Sequence, residues 1–347
     1  MNAGKRATRL LSVFVGAWMV LSGVDAHAAA KFHWQMQSLW QAGTINQKLF
    51  EAFCDRVKTM TDGRLEITPL PVGAVVAYNE TLDAISAGLL DGHQSGSGYF
   101  AGKDPAFALL ADLNGGYESA RQMEMWLYYG GGLELARELY AKYNIYYVAG
   151  VWWGVESIPA KMPIRTVEDF KGVKIRSPEG MGQEIFKAIG AAPVNIPGSE
   201  VYTALERGVI DATDWGTLSM NQDLGYHKIA PYPLYPGFHS TPMAEIAVNM
   251  DRWNELPDDI KAIVEAAARD FGHEMYLKVG LEDDKAAHEA EAEGVELVDW
   301  SSEERRKFRE VAAGVWKTYA ERSEMAQRIY DSHMAFLTTL GLLGPSE

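Results

Sequence analysis

Two nine-residue stretches of this chain follow one plan. Ala84-Ile85-Ser86-Ala87-Gly88-Leu89-Leu90-Asp91-Gly92 closely matches Ala204-Leu205-Glu206-Arg207-Gly208-Val209-Ile210-Asp211-Ala212. Each reads as a helix end, a glycine in the left-handed cap position, a short apolar strand and then an aspartate. One occurrence is an ordinary helix-to-strand joint. Two, set far apart, point to two α/β lobes of similar plan, against the alternative of a common joint recurring by chance.

The pattern around these joints agrees with lobes of alternating helix and strand. Phe32 to Gln37 reads as a strand, followed by a loop from Ser38 to Gly43 and a helix from Thr44 to Met60. Leu65 to Leu70 alternates as a half-buried strand does, and another helix runs near Glu80 to Ala87. Tyr146 to Trp153 is an apolar strand-like run that opens the second half. There Thr166-Val167-Glu168-Asp169 looks like a capped turn, Val173 to Arg176 a short strand, and Met181 to Ile189 a helix stopped by Gly190. Pro193 to Pro197 is extended, and Ser199 caps the helix that ends at Gly208. After Met250 the chain turns to long helical stretches, Ile260 to Ala290 and Arg305 to Leu340, the second opened by a capping box at Ser301 to Glu304.

The N-terminus sets the compartment. Lys5, Arg6 and Arg9 precede an apolar run from Leu10 to Gly23, and Ala26-His27-Ala28 supplies small residues for cleavage. Residues 1–28 are therefore expected to be a secretory signal peptide, and the protein exported from the cytoplasm. Cys54, the only cysteine, excludes an internal disulfide and suits a buried place in an amphipathic helix. Against 32 Lys and Arg stand 47 Asp and Glu, a net charge of −15 that argues against nucleic acid. An anionic ligand then needs a local positive site set against the global field. The expected organisation is lobe I over residues 29–150, completed by part of 241–347, lobe II over 151–240, and a helical region over 251–347 that spans both.

No G-x-S-x-G, phosphate loop, dinucleotide fingerprint or H-E-x-x-H is present, and nothing points to catalysis. Arg176 ends a strand before a proline turn. Its planar fork matches a carboxylate in a bidentate grip, and ligands of open α/β sheets bind beyond the carboxyl ends of strands. An internal salt bridge with Glu168 or Glu179 explains it equally well. In Asp211-Ala212-Thr213-Asp214-Trp215-Gly216, Asp211 reads as a turn cap. Asp214 reads as a ligand for a cation or a hydroxyl, and Trp215 as a pocket wall. Trp40, the Gln94 to Tyr99 run and Trp152-Trp153-Gly154-Val155-Glu156 are loop segments able to line a mainly apolar, aromatic site. Core packing is the competing role for the tryptophans.

The run Thr166-Val167-Glu168-Asp169-Phe170-Lys171-Gly172-Val173-Lys174-Ile175-Arg176-Ser177-Pro178 resembles the signature of the DctP-type substrate-binding proteins of TRAP transporters. Ala188 to Val194 and Ser199 to Asp211 continue the likeness, which extends over nearly the whole mature chain. The resemblance implies a two-lobed α/β periplasmic binding protein with mixed sheets, a central cleft and long C-terminal helices. It implies no catalytic residues, and it implies a small organic carboxylate and the TRAP membrane permease as partners. It puts Arg176 on the ligand carboxylate. Thr213-Asp214-Trp215 and Tyr235-Pro236-Gly237-Phe238-His239 are similar to the branch that binds 2-oxo and 2-hydroxy acids. In that branch an acidic residue followed by Trp helps to hold a cation, here Ca²⁺ or Na⁺, against the ligand. A glutamine of that branch has no match, and Val155 and Glu156 stand nearest to its place. The ligand-binding set expected is Arg176, Trp40, Tyr99, Trp153, Glu156, Asp214, Trp215 and His239, with Asp214, Trp215 and Glu156 toward the cation. Trp316, Tyr319, Ile329 and Phe336 form a C-terminal stripe that serves either a homodimer, as in members of that branch, or the chain's own core.

Overall fold

A computed structural model describes Met1 and residues 31–178, 180–196 and 198–343. The signal peptide expected at residues 1–28 lies outside them, Met1 apart, as does Glu179, and nothing is described of the Ser199 side chain to which a cap was assigned.

The strands are β1 (Phe32–Ser38), β2 (Leu65–Leu70), β3 (Gly92–Gly96), β4 (Ile145–Trp152), β5 (Lys174–Arg176), β6 (Ala192–Val194), β7 (Ala212–Thr213) and β8 (Met243–Asn249). They form two sheets, β2-β1-β3-β8-β4 and β6-β5-β7. In the larger sheet β8 alone runs antiparallel to its neighbours, while the smaller sheet is parallel. The fold is thus two α/β lobes, as the sequence suggests, with the larger sheet mixed and the smaller one parallel. One assignment changes. The run Tyr146 to Trp153, read as opening the second half, supplies β4, which pairs with β8 in the first sheet. An apolar run shows that a strand is buried but carries no mark of the sheet that buries it.

The helices between strands are α1 (Ile45–Met60), α2 (Thr81–Ser86), α3 (Ala106–Ala111), α4 (Ala120–Tyr129), α5 (Gly132–Ala141), α6 (Met181–Ala188), α7 (Val201–Glu206) and α8 (Leu218–Asp223). After β8 come α9 (Met250–Asn254), α10 (Asp258–Ala292), α11 (Ser302–Ala320) and α12 (Glu324–Thr339). The α1 helix starts where Thr44 Oγ1 accepts from Gln47 N at 3.3 Å. It buries Leu49, Phe50, Phe53, Cys54 and Val57, the stripe expected of an amphipathic helix. Phe50 and Phe53 stack on each other, and both pack on Phe271 of α10. Burying each such ring contributes roughly 1.5–3 kcal/mol. Cys54 sits in this core, its thiol pushed well above the ordinary range by burial and then by Asp55 and Glu51.

The repeated joints are alike atom by atom. Gly88 and Gly208 have φ of 73° and 72°, the left-handed region that costs glycine nothing. Ala84 O accepts from Leu89 N and Leu90 N, and Ala204 O from Val209 N and Ile210 N. Asp91 N donates to Gln35 O at 3.0 Å while its carboxylate accepts from Gln35 N at 2.8 Å. Asp211 N donates to Lys174 O at 2.7 Å and its carboxylate accepts from Lys174 N at 3.1 Å. Each aspartate clamps its strand to the next, β3 to β1 and β7 to β5. The strands begin after these aspartates, not before them, because the apolar pairs Leu89-Leu90 and Val209-Ile210 are spent on the turn.

The expected stretch from Arg305 to Leu340 is two helices, broken at 321–323, where Ser323 Oγ accepts from Ala326 N at 3.0 Å and starts α12. The α11 helix packs on α6 beside the smaller sheet and touches α3, while α12 packs on α3 and α5 beside the larger one. Trp316, Tyr319 and Ile329 are buried in the chain's own core, and Phe336 packs partly buried against it. The stripe's apolar surface is therefore covered within one chain. Among the described residues no helix is long and apolar enough to cross a membrane.

Candidate functional site

Arg176 is the last residue of β5, between β6 and β7, so its side chain leaves at the carboxyl edge of the smaller sheet. It is 7% exposed. Its Nε donates to Ile196 O at 3.0 Å and one terminal nitrogen donates to Asp214 O. Its guanidinium carbon lies 5.0 Å from the centre of the Trp215 ring, a stacking that favours arginine over lysine. Among the described residues Arg176 forms no ion pair, so Glu168 does not neutralise it. A guanidinium has five N–H donors. Two are spent on carbonyls that fix its plane, which leaves three.

Asp214 follows β7 directly, and its N–H donates to Arg176 O at 2.9 Å. Its carboxylate accepts from Ser177 Oγ at 3.3 Å and lies 3.0 Å from His239 Nε2. Glu156 arrives from the segment after β4, and its N–H donates to Ser240 O at 3.1 Å. Gly237 is required for this approach, because a Cβ there would lie 1.9 Å from Glu156 O. Gly198 serves Trp215 in the same way, since a Cβ would lie 2.2 Å from its ring. Asn221 joins the two acidic segments. Its amide nitrogen donates to Ser157 Oγ and to Gly216 O, both at 2.9 Å, while Ser157 N also donates to Gly216 O.

Glu156, Asp214 and His239 are all buried, and each offers an atom within 4.8 Å of the others'. Two carboxyl groups so close cannot both ionise unaided. Burial, and then the charges of Asp214 and Asp112, push Glu156 well above the ordinary carboxylate range. Burial pushes Asp214 up as well, but His239, Arg176 and a hydrogen bond from Glu156 outweigh it and leave Asp214 below that range. A proton or a cation between these groups relieves the same repulsion. The carboxylate oxygens suit Ca²⁺ or Na⁺, hard ions that take oxygen ligands. His239, hydrogen-bonded to Asp214, acts then as its orienting neighbour.

Five of the expected residues, Arg176, Trp215, Asp214, Glu156 and His239, thus come together. Tyr99 approaches from the larger sheet, just beyond β3. Burial pushes its hydroxyl up to about 12, with Arg176 opposing and Glu156 and Asp214 assisting. The Gln94 to Tyr99 run is not a loop: Gln94 to Gly96 finish β3, and Ser97–Phe100 forms a 3₁₀ turn. Trp40 and Trp153 meet edge to face, with centres 5.3 Å apart, in the apolar cluster on the α1 and α10 side. They touch neither Arg176 nor Asp214 by ring contact or hydrogen bond. Sequence reading missed Asp112. It accepts from Ser240 Oγ at 2.6 Å and from Asn114 Nδ2 at 2.8 Å. Burial pushes it up to about 7 against the Ser240 hydrogen bond and His239. The only local sign was an acid at the end of the apolar run Ala106 to Ala111.

The chain matches the family described as bacterial extracellular solute-binding protein, family 7 (DctP), over residues 36–323. It is 31% identical to a monocarboxylate 2-oxoacid-binding periplasmic protein of Nostoc sp., covering 87% of this chain and 83% of the relative. A TRAP periplasmic solute-binding protein of Rhodobacter sphaeroides, solved apo and open, shares 45% identity at a TM-score of 0.79, covering 89% of this chain and 99% of that one. One from Bordetella bronchiseptica, a mixed-occupancy dimer with copurified calcium and picolinate, shares 29% at 0.80, covering 90% and 93%. One from Pseudoalteromonas atlantica, with bound sodium and pyruvate, shares 29% at 0.79, covering 90% and 95%. The fold is that of the two-lobed solute-binding proteins, which bind and release rather than transform their ligands. Within that class the chain belongs to the DctP family of TRAP transporter solute-binding proteins.

Proposed function

We propose that this protein is the periplasmic receptor of a TRAP transporter, capturing a 2-oxo or 2-hydroxy monocarboxylate and delivering it to the membrane permease. The observation that carries the reading is the three-donor face of Arg176, held over Trp215 beside the Asp214–Glu156 pair. The arginine takes the ligand carboxylate. Asp214, Glu156 and the Trp215 carbonyl would hold a cation, which would supply positive charge for the ligand's oxygens. Without the cation, Asp214 would repel the anion that Arg176 attracts. The relative named for 2-oxoacids and the neighbours holding sodium with pyruvate and calcium with picolinate support this reading.

The two lobes are organised to close on the ligand. Arg176 and Asp214 stand on the smaller sheet, Tyr99 on the larger, and Glu156 on the segment that joins them. A ligand touching all of these shifts the protein toward the closed form through its preference for that form. Small-angle scattering on ligand-free protein should show a smaller radius of gyration once pyruvate and calcium are added. An identical radius from an open starting form, with binding confirmed separately, would count against closure.

A further inference from the structure

The larger sheet carries a second concentration of polar groups, at the edge where Tyr99 also lies. Gln94 sits in β3 between Ser38 of β1 and Ile246 of β8. Side chains alternate along a strand. His93 faces the α2 side, where its Nδ1 lies 3.0 Å from Thr81 Oγ1 and its ring stacks on Phe100. Gln94 therefore faces the α1 and α10 side, as does Ile246, which belongs to the cluster there. Asn46 enters from the first turn of α1, and Trp40 from the loop before it. Short contacts tie the neighbourhood together. Ser38 Oγ donates to Gln47 Oε1 at 2.5 Å, Trp40 N donates to Ser38 Oγ at 3.1 Å, and Leu39 N donates to Gln94 O at 2.9 Å.

Asn46 and Gln94 are at most 1% exposed, and Trp40 is 6% exposed. Yet Trp40 Nε1, both polar side-chain atoms of Asn46 and both of Gln94 have no hydrogen-bond partner among the described residues. Each buried polar atom left so costs about 1–3 kcal/mol, and folded proteins keep few of them. Such a concentration calls for an occupant. Because β1, β3 and β4 run parallel, Trp40, Gln94 and Trp153 all lie toward one edge, and Glu156 follows Trp153 by three residues.

We propose that Trp40, Asn46 and Gln94 form a neutral hydrogen-bonding subsite that reads hydroxyl groups on the ligand's tail, so that the preferred ligand is a hydroxylated 2-oxo monocarboxylate. This rests on the reading of Arg176 and Asp214 as the carboxylate end of the site. The chemistry of the donor set selects the class. Each amide offers a donor and an acceptor, and the indole offers a donor. A hydroxyl both donates and accepts, and so satisfies such a set. A second carboxylate only accepts; it would leave the amide oxygens unpaired and bury a charge with no cation among these three residues. An apolar tail would leave every one of these atoms unpaired.

The test compares 2-oxobutyrate with 4-hydroxy-2-oxobutyrate by calorimetry, with calcium present. The wild type should bind the hydroxylated acid about tenfold or more tightly, the worth of one to two hydrogen bonds. In Gln94→Met and Asn46→Leu the ratio should fall to within about threefold, because the loss falls on the hydroxylated acid. A second readout guards against misfolding. With no ligand, each variant should unfold at the same or a higher temperature, since apolar atoms replace polar atoms without partners. Equal affinity of the wild type for the two acids, or a parallel loss of both in the variants, overturns the subsite. So does a marked fall in ligand-free unfolding temperature, which would mean that internal water satisfies these groups. Failure of every 2-oxo acid to bind overturns both this inference and the function it rests on, whereas binding without hydroxyl preference overturns this inference alone.

Discussion

Replacing Arg176 by alanine is expected to cost about 2–5 kcal/mol of ligand binding, the usual loss when one partner of a buried charged pair is removed. The guanidinium is held in plane by Ile196 O and Asp214 O and lies over the Trp215 ring, so its remaining donors are aimed before any ligand arrives. Preorganisation of this kind turns a hydrogen bond into affinity with little loss of side-chain entropy. Arg176→Lys keeps the charge but loses the fork and the stacking, and should recover only a minor part of the loss. Calorimetry on the two variants, with unfolding temperatures to confirm that each is folded, reads the effect. An alanine variant with unchanged affinity would remove Arg176 from the site.

The second large effect concerns the cation. Glu156 and Asp214 are buried side by side, with Asp112 acting on Glu156, and Arg176 supplies the opposing guanidinium. Bringing a further carboxylate into this group is costly unless a cation enters with it. Protein freed of calcium by chelation and of sodium by dialysis should therefore lose about tenfold or more in affinity for pyruvate, and regain it when one ion is restored. With Glu156 as a ligand in place of the glutamine of the resembling branch, its added formal charge should make calcium restore binding better than sodium. Glu156→Gln should narrow or reverse that preference. Equal affinity with and without both ions would leave Asp214 as a hydrogen-bonding specificity residue and no more.

How much of this was legible in the residues follows the range of the interactions. The joints at Gly88 and Gly208 were readable because each is local: a helix end, a left-handed glycine and a capping aspartate lie within nine residues. Arg176 was readable as a candidate, since a strand end before proline is also local, but only the resemblance separated ligand anchor from ion pair. The Glu156, Asp214 and His239 group joins segments far apart in sequence, and periodicity gives no sign of such a meeting. Asp112 lies in yet another segment and was missed for that reason. Trp40 and Trp153 were grouped with Arg176 by their polar loop neighbours, yet their rings meet each other on the α1 and α10 side of the larger sheet, a placement that depends on pairing between distant strands. The break between α11 and α12 was hidden because Glu321, Arg322 and Ser323 are polar residues that a helix surface carries equally well. Ser323 Oγ is free to cap only because the chain must turn there to lay α12 on α3 and α5.

Whether a monocarboxylate with an oxygen at the 2-position binds between Arg176 and a cation at Asp214 can be read from titrations of ligand-stripped protein. The protein would be unfolded, dialysed and refolded, then titrated calorimetrically with pyruvate, lactate, propionate and succinate in calcium-containing buffer. This placement of the ligand predicts saturable one-to-one binding of pyruvate and lactate. Propionate, which lacks the 2-oxygen, should bind at least about tenfold more weakly, as a lost cation ligand requires. Succinate, which also lacks that oxygen and brings a second charge, should not compete with pyruvate. Propionate binding as tightly as pyruvate, or succinate binding more tightly than either 2-substituted acid, would contradict it.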